Sequence, residues 1–129
     1  MAAVADDDPT FRIARRPTRR YPRQSGVEYE GETVFTLNPR VDRGDEPLAE
    51  LVESVLERSP YRYGDWFDLP MPLYVVHDDE TGDTFRAAVR DGAVELHVLP
   101  ETESEGLRAF FERLAAASET TWSVTCRTG

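Results

Sequence analysis

One short acidic segment gathers the residues with the greatest potential for chemistry. It combines an imidazole with four carboxylates: His77, Asp78, Asp79, Glu80 and Asp83. Gly82 would let the chain turn sharply there, and oxygen ligands suit a divalent cation. The spacing is not that of a calcium-binding helix–loop–helix, and acidic turns are expected on a strongly acidic surface. We therefore interpret the segment as a solvated hairpin tip and predict no metal site.

The second histidine, His97, has no nucleophile beside it. The strand register derived below places His97 on the same sheet face as His77, but with one strand between them, about 10 Å or more apart. Arg86 is expected opposite His97, and no serine or cysteine is placed to use either imidazole. The motifs of α/β-hydrolases, zinc proteases, P-loop proteins and dinucleotide-binding proteins do not occur. We expect no catalytic residue and no cofactor.

The segment from Pro60 to Pro70 concentrates aromatic side chains. They are Tyr61, Tyr63, Trp66 and Phe67. Aromatic residues together with arginine, here Arg62, are enriched at binding hot spots. Either Trp66 and Phe67 close one end of the core under a loop, or they are exposed and mark a partner-binding surface. On the second interpretation the chain is a non-catalytic protein-interaction or regulatory domain with an unknown protein partner.

Residues 1–26 are predicted to form a basic N-terminal arm that is extended or mobile. No acidic residue occurs between Asp8 and Glu28, and Pro17 and Pro22 disfavour a helix. The arginines that matter here are Arg15, Arg16, Arg19, Arg20 and Arg23. Arginine binds phosphate well, so the alternative function is a nucleic-acid-associated protein that uses this arm. Concentrated salt weakens such binding, and an arm folded against its own acidic body is equally consistent.

Residues 27–129 are predicted to form a single α+β domain around one core, mainly an antiparallel sheet of about five strands with two helices. The predicted order is β-hairpin, α, β-β-β, α, β. Its strands cover residues 27–37 with a break at Gly31, then 71–77, 84–90, 93–99 and 120–127. The chain between Pro60 and Pro72 is predicted to be a loop.

Two amphipathic helices are indicated by apolar residues at helical spacing. The first is predicted to be capped by Asp45, with the apolar face Leu48, Leu51, Val52, Val55 and Leu56. The second is predicted to begin with a capping box made by Thr102 and Glu105. Its apolar face is Leu107, Phe110, Phe111, Leu114 and Ala115.

The dipeptide Asp91-Gly92 predicts a tight hairpin turn of type I′. In the register of a two-residue loop, Arg90 faces Ala93. The residues that this register directs to the core are Phe85, Ala87, Val89, Val94, Leu96 and Val98. Cys126 alternates with polar neighbours in the last predicted strand, so we predict that it is a small core residue.

In topology alone, the order helix, three strands, helix over residues 45–118 resembles the double-stranded RNA-binding domain. That family needs basic residues at the start of its second helix, where this chain has Glu101, Glu103 and Glu105. With a strand after the second helix, the order is also similar to small α+β domains of the secretion-chaperone type, which bind proteins. This similarity implies a protein partner.

The charge balance predicts the solvent in which the domain folds. The 129 residues include 25 acidic side chains, no lysine and a net charge of -10. Near 1 M salt the Debye length is about 3 Å, which screens the repulsion among these carboxylates. The composition resembles that of proteins from extremely halophilic archaea.

The sequence also predicts a cytoplasmic location without a membrane span. The N-terminus lacks the order of basic and then apolar residues that marks an export signal, and Arg15-Arg16 is followed by Pro17. The longest apolar stretch, Leu69 to Val76, contains Pro70 and Pro72.

The melting temperature should rise from dilute buffer to several molar KCl, because salt screens the repulsion among carboxylates that opposes the compact state. Circular dichroism during heating would measure it. The same melting temperature in both solutions would contradict the inferred adaptation to salt.

Overall fold

Two helices lie on one face of a six-stranded antiparallel sheet, and a two-stranded ribbon accompanies them. The structure is a computed structural model and describes residues 11–13, 17–20, 28–41, 44–58, 60–65, 72–118 and 120–128. The strands are β1 (Thr18–Arg20), β2 (Glu28–Glu30), β3 (Thr33–Pro39), β4 (Tyr61–Asp65), β5 (Leu73–Asp78), β6 (Asp83–Arg90), β7 (Ala93–His97) and β8 (Trp122–Thr128). The helices are α1 (Asp45–Leu56) and α2 (Ser104–Ala117). The predicted α+β class is confirmed.

The order of strands in the main sheet is β4-β5-β6-β7-β3-β8, and every neighbouring pair is antiparallel. The β5–β6–β7 part is the meander that the sequence predicts. β3, from the first part of the chain, lies between the two late strands β7 and β8. Among the described strands, β4 and β8 are therefore the two edges of the sheet.

The hairpin between β6 and β7 confirms the turn that Asp91-Gly92 predicts. Asp91 has φ 55° and Gly92 has φ 74°, the two positive values of a type I′ turn. Arg90 pairs with Ala93, as the two-residue loop requires. The N–H of Gly92 also donates to the carboxylate of Asp45, 2.8 Å away, which ties the hairpin tip to the start of α1.

The core lies between the helices and the face of the sheet that the hairpin register identifies. All six residues predicted from that register are buried: Phe85, Ala87, Val89, Val94, Leu96 and Val98. The apolar faces of α1 and α2 contribute Leu48, Val52, Val55, Leu56, Leu107, Phe110 and Leu114. Phe110 contacts the rings of Tyr61 and Phe85. Burial of each large apolar side chain stabilises the fold by about 1.5–3 kcal/mol.

Both helices begin differently from the sequence prediction. Gly44, with φ 73°, is the N-cap of α1, and Asp45 is the first helical residue with its carboxylate turned to Gly92. The N-cap of α2 is Glu103, whose side chain makes no capping hydrogen bond. Thr102 instead accepts the N–H of Leu99 and donates to the carbonyl of Thr84. The predicted cap and capping box were wrong because Asp45 bonds to the distant Gly92, and Thr102 bonds to Leu99 and to the distant Thr84.

The first turn of α2 is capped by Asp83, at the start of β6. Its two carboxylate oxygens accept the N–H groups of Glu103, at 2.8 Å, and Gly106, at 3.0 Å. A carboxylate at a helix N-terminus meets the positive end of the helix dipole. Burial nevertheless raises the pKa of Asp83 above its usual value, although these N–H donors counteract the effect. The close approach leaves room only for glycine at position 106.

The chain before β3 differs in pairing from the predicted hairpin. Gly31, with φ 86°, breaks the segment as expected, but β2 pairs with β1 and β3 joins the main sheet. Phe11 is buried and contacts the rings of Phe35 and Phe111, and Ile13 packs against the same core. Among the described residues, no helix is both long and apolar enough to cross a membrane.

Gly106→Ala should lower the free energy of unfolding by about 1–3 kcal/mol, the usual cost of overpacking. The added methyl group would overlap the Asp83 carboxylate and push it away from its N–H donors. Denaturant titration in molar KCl would measure the loss. Gly64→Ala is the control, because a methyl group there meets no atom within 4 Å. Equal stability of both variants would contradict this role of Asp83.

Candidate interaction edge

The direction of the backbone N–H and C=O groups of β8 follows from two hydrogen bonds, one at each end of β3. The N–H of Arg40 donates to the carbonyl of Thr121, at 2.8 Å, and the N–H of Val98 donates to the carbonyl of Thr33, at 3.1 Å. In an antiparallel pair, residues that exchange hydrogen bonds alternate with residues that do not. Odd-numbered residues of β3 therefore bond to β7, and even-numbered ones bond to β8.

This alternation leaves a regular row of backbone groups at the outer edge of β8. Ser123, Thr125 and Arg127 lie opposite the even-numbered residues of β3 and bond to them. The alternate residues of β8 point their backbone N–H and C=O groups away from β3. They are Trp122, Val124, Cys126 and Thr128. Among the strands that the structure describes, β3 alone pairs with β8.

β8 lacks the features that ordinarily protect the edge of a sheet. Proteins block such edges with charged side chains, proline, bulges or short strands. β8 has seven residues in unbroken register with β3, no proline or glycine, and one charged side chain, that of Arg127. The other edge, β4, has five residues and includes Arg62, Gly64 and Asp65. The two edges of the sheet are thus unequal, and β8 is the one suited to accept another strand.

The start of β8 is anchored to the body and its end is exposed. The indole N–H of Trp122 donates to the hydroxyl of Ser118, at 2.8 Å, and Trp122 and Val124 pack against the core. From Thr125 onward the side chains are exposed. Cys126 is among them, so its predicted place in the core was wrong. The alternation correctly predicted that Cys126 lies on the helix side of the sheet. At this end of the edge strand, however, no described core residue covers that side.

A cluster of charges occupies the sheet face opposite the helices, next to β8. The buried carboxylate of Glu95 accepts hydrogen bonds from Arg90 and His97, each at 3.1 Å. The guanidinium of Arg127 lies 3.9 Å from the same carboxylate and 3.8 Å from the carboxylate of Glu32. The one cation on β8 therefore lies beside this cluster.

The two titrating groups of this cluster shift in the same direction. Burial alone would raise the pKa of Glu95, but hydrogen bonds from Arg90 and His97 outweigh it and leave the pKa below its usual value. Burial lowers the pKa of His97, and the neighbouring Glu95 offsets this only in part. In the folded protein near neutral pH the cluster therefore favours an ionised Glu95 and a neutral His97.

The structure separates the residues of the predicted aromatic patch. The chain that was predicted to be a loop contains β4, with Tyr61 and Tyr63 on the core side of the sheet. Tyr61 is 8% exposed and contacts Phe110, and its hydroxyl accepts a hydrogen bond from Arg113. Tyr63 is half-buried against the ring of Tyr74. Trp66 and Phe67 lie outside the described residues, so their exposure stays a prediction.

The acidic hairpin tip sends its side chains in different directions. The prediction of a solvated tip was wrong for Asp78 and Asp83, which are both buried, because backbone N–H groups replace water around their carboxylates. Asp78 accepts the N–H groups of Glu80 and Thr81. Asp79 binds Arg62 on the neighbouring strand, whereas Asp83 caps α2. Within the described residues, no three acidic, histidine or cysteine side chains come close enough to share a metal ion.

The two histidines lie where the register predicts, on the same sheet face with β6 between their strands. His77 contacts the hydroxyl of Thr84 at 2.9 Å, and His97 contacts Glu95. Each ring is thus engaged by its own local partner. The two imidazoles do not form one site.

The arginines of the alternative function fall in two groups. Arg19 and Arg20 belong to β1, which pairs with β2. Arg15, Arg16 and Arg23 lie outside the described residues. The role of this segment in binding nucleic acid stays a prediction.

A cleft of about 280 Å³ lies between the C-terminal ends of the helices, lined by Val55, Arg58, Arg113, Ala116 and Ala117. Arg113 already binds Glu80 at 3.1 Å and the hydroxyl of Tyr61 at 2.8 Å. Two side chains of the protein therefore already engage the guanidinium of Arg113. β8 is therefore the stronger candidate for a binding surface.

Comparison of the chain with protein-family models, curated proteins and solved structures found no match.

The free energy of unfolding should fall as the pH drops below about 6.5, and His97→Gln should reduce this fall. The pKa of His97 is lowered on folding, so the unfolded chain binds the proton first and is favoured by acid. Denaturant titrations between pH 8 and 5 in molar KCl would measure the slope. An identical slope in the variant would show that His97 does not contribute.

Proposed function

We propose that this protein is a non-catalytic interaction domain that binds a protein partner by adding a strand of that partner to β8. The observation that carries the proposal is the row of outward-facing backbone groups on Trp122, Val124, Cys126 and Thr128. In strand addition, the main-chain hydrogen bonds supply affinity, and the alternating side chains supply specificity.

The extended conformation of β8 favours binding. β8 pairs with β3 along all seven of its residues, and β3 pairs with β7 on its other side. The strand is therefore already extended before a partner arrives, and little conformational entropy is lost in shaping it. Each new hydrogen bond contributes about 0.5–1.5 kcal/mol, so several in register contribute a few kcal/mol toward the cost of association.

The side chains of β8 define the kind of strand that fits. Val124 and Cys126 lie on the helix side of the sheet and would face apolar or β-branched residues of a partner. Ser123, Thr125 and Arg127 lie on the other side and would face polar residues. A partner with this alternation gains packing on one face and hydrogen bonding on the other.

Concentrated salt favours this mode over binding through charge. At high ionic strength, attraction between exposed charges is screened, whereas main-chain hydrogen bonds and apolar contacts persist. The acidic composition points to such a solvent. We also propose, as separate points, that the domain works in the cytoplasm of a halophile and that Trp66 and Phe67 form a further contact region.

Cys126→Pro should abolish capture of partners, because proline removes an outward N–H that no β3 residue uses. Cys126→Ser is the matched control, since it changes the same side chain and keeps the N–H group. Tagged wild type and variants would be compared as baits in a halophilic archaeal extract prepared in molar KCl.

The captured complex should also show slower hydrogen exchange at the amides of Val124, Cys126 and Thr128. A cooperative melting transition in each variant would show that both are folded. Equal capture by the proline and serine variants, or unchanged exchange at these amides, would contradict strand addition at β8.

A further inference from the structure

We propose that β8 accepts β8 of a second copy of this chain, with a two-fold axis through Thr125. The proposal rests on the strand addition proposed above and names the partner. The two sheets would join into one continuous antiparallel sheet, with the helices of both copies on the same side.

The backbone selects this register. A two-fold axis at Thr125 places Trp122 opposite Thr128 of the second copy, and Val124 opposite Cys126. These four residues are the ones whose N–H and C=O groups point outward, so every one of them finds a partner. An axis at Val124 or Cys126 would leave some of them unpaired. Thr125 is also the midpoint of β8, which spans Trp122–Thr128.

The side chains agree with the same register. Thr125 meets its own copy, and Val124 meets Cys126, which are favourable cross-strand neighbours. Arg127 lies opposite Ser123, so the two Arg127 side chains are separated by four residues along the strand direction. An axis at Arg127 would place like charges directly opposite each other, which is destabilising.

The charge distribution explains how two such acidic molecules can approach. Each copy carries a net charge of -10, yet residues 120–129 contain no acidic residue and one arginine. Contact along β8 therefore apposes no carboxylates of this segment. The remaining repulsion is long-ranged and is screened near 1 M salt, where the Debye length is about 3 Å.

The opposite edge fits a second copy less well. β4 is shorter than β8, and its Arg62 is paired with Asp79 at 2.8 Å. Pairing β8 with β4 of another copy would be a head-to-tail contact, which builds rings or open fibres and does not close at two copies. Pairing β8 with β8 uses one surface twice and closes at two copies.

Sedimentation equilibrium of the full chain in molar KCl is the first test. Wild type and Cys126→Ser should have twice the 14.6 kDa mass of one chain, and Cys126→Pro should have the mass of one chain. Lowering the salt while the chain stays folded should raise the dissociation constant at least tenfold. A wild type that stays monomeric at high concentration would overturn the proposal.

Disulfide formation tests the register independently of proline. In a Cys126→Ser background and with a mild oxidant to accept the two electrons, Thr125→Cys should form a disulfide between two copies, because the two Cα atoms that flank the axis lie about 4.5 Å apart. Ser123→Cys in the same background is the matched control, with Cα atoms about 14 Å apart. Both positions are exposed. Equal cross-linking of the two variants, or faster cross-linking at position 123, would overturn the two-fold axis at Thr125.

The outcomes separate this proposal from the broader one. If the wild type is monomeric but captures proteins that Cys126→Pro does not capture, the pairing with a second copy is overturned and strand addition at β8 stands. A monomeric chain whose capture is unaffected by Cys126→Pro overturns both. A dimer that Cys126→Pro does not disrupt lies at another surface and overturns the pairing of β8 with β8.

Discussion

The position of β3 between β7 and β8 is the constraint on which the rest of the structure depends. A strand in the middle of a sheet uses alternate residues for its two neighbours, so pairing with β7 determines which of its backbone groups remain for β8. This pairing also determines which residues of β8 point their backbone N–H and C=O groups away from β3. The same placement carries Phe35 and Leu37 into the core and puts the last strand of the chain at an edge.

The buried carboxylates differ from the exposed ones in their need for hydrogen-bond donors. Asp83, Asp78 and Glu95 are each buried and each accepts hydrogen bonds from backbone or cationic groups. Such bonds are needed because an unpaired buried charge is strongly destabilising. The exposed carboxylates need no partner, and their mutual repulsion depends on the salt around them. Three local networks therefore coexist with a large net negative charge.

The inequality of the two sheet edges connects the fold to the proposed function. The β4 edge carries Arg62, paired with Asp79, and its Tyr61 is held by Phe110 and Arg113. The β8 edge has no comparable protection among the described residues, and its backbone groups form a regular row. An exposed edge of this length is an aggregation hazard unless it has a partner. A specific partner strand turns that hazard into a binding surface.

The sequence by itself determined the elements whose signals are local. Helical spacing found the apolar faces of α1 and α2, and Asp91-Gly92 gave the hairpin, its register and six core residues, because a turn type and a period of two depend only on neighbouring residues. The charge balance and the absence of lysine are also sequence properties. For the candidate site, the sequence located the last strand within two residues but not its place in the sheet.

Only the tertiary structure decided how distant segments meet. Asp83 of β6 caps α2, and Asp45 of α1 binds the tip of the hairpin between β6 and β7. β4 forms where a loop was predicted, because β5 lies beside it and pairs with it. The exposure of Cys126 had the same origin: alternation determines the face of a residue, whereas burial depends on what packs over that face. Likewise, nothing in the residues of β8 states that it is an edge. That follows from its place in the sheet, with β3 on one side and no described strand on the other, and no local pattern encodes such long-range pairing.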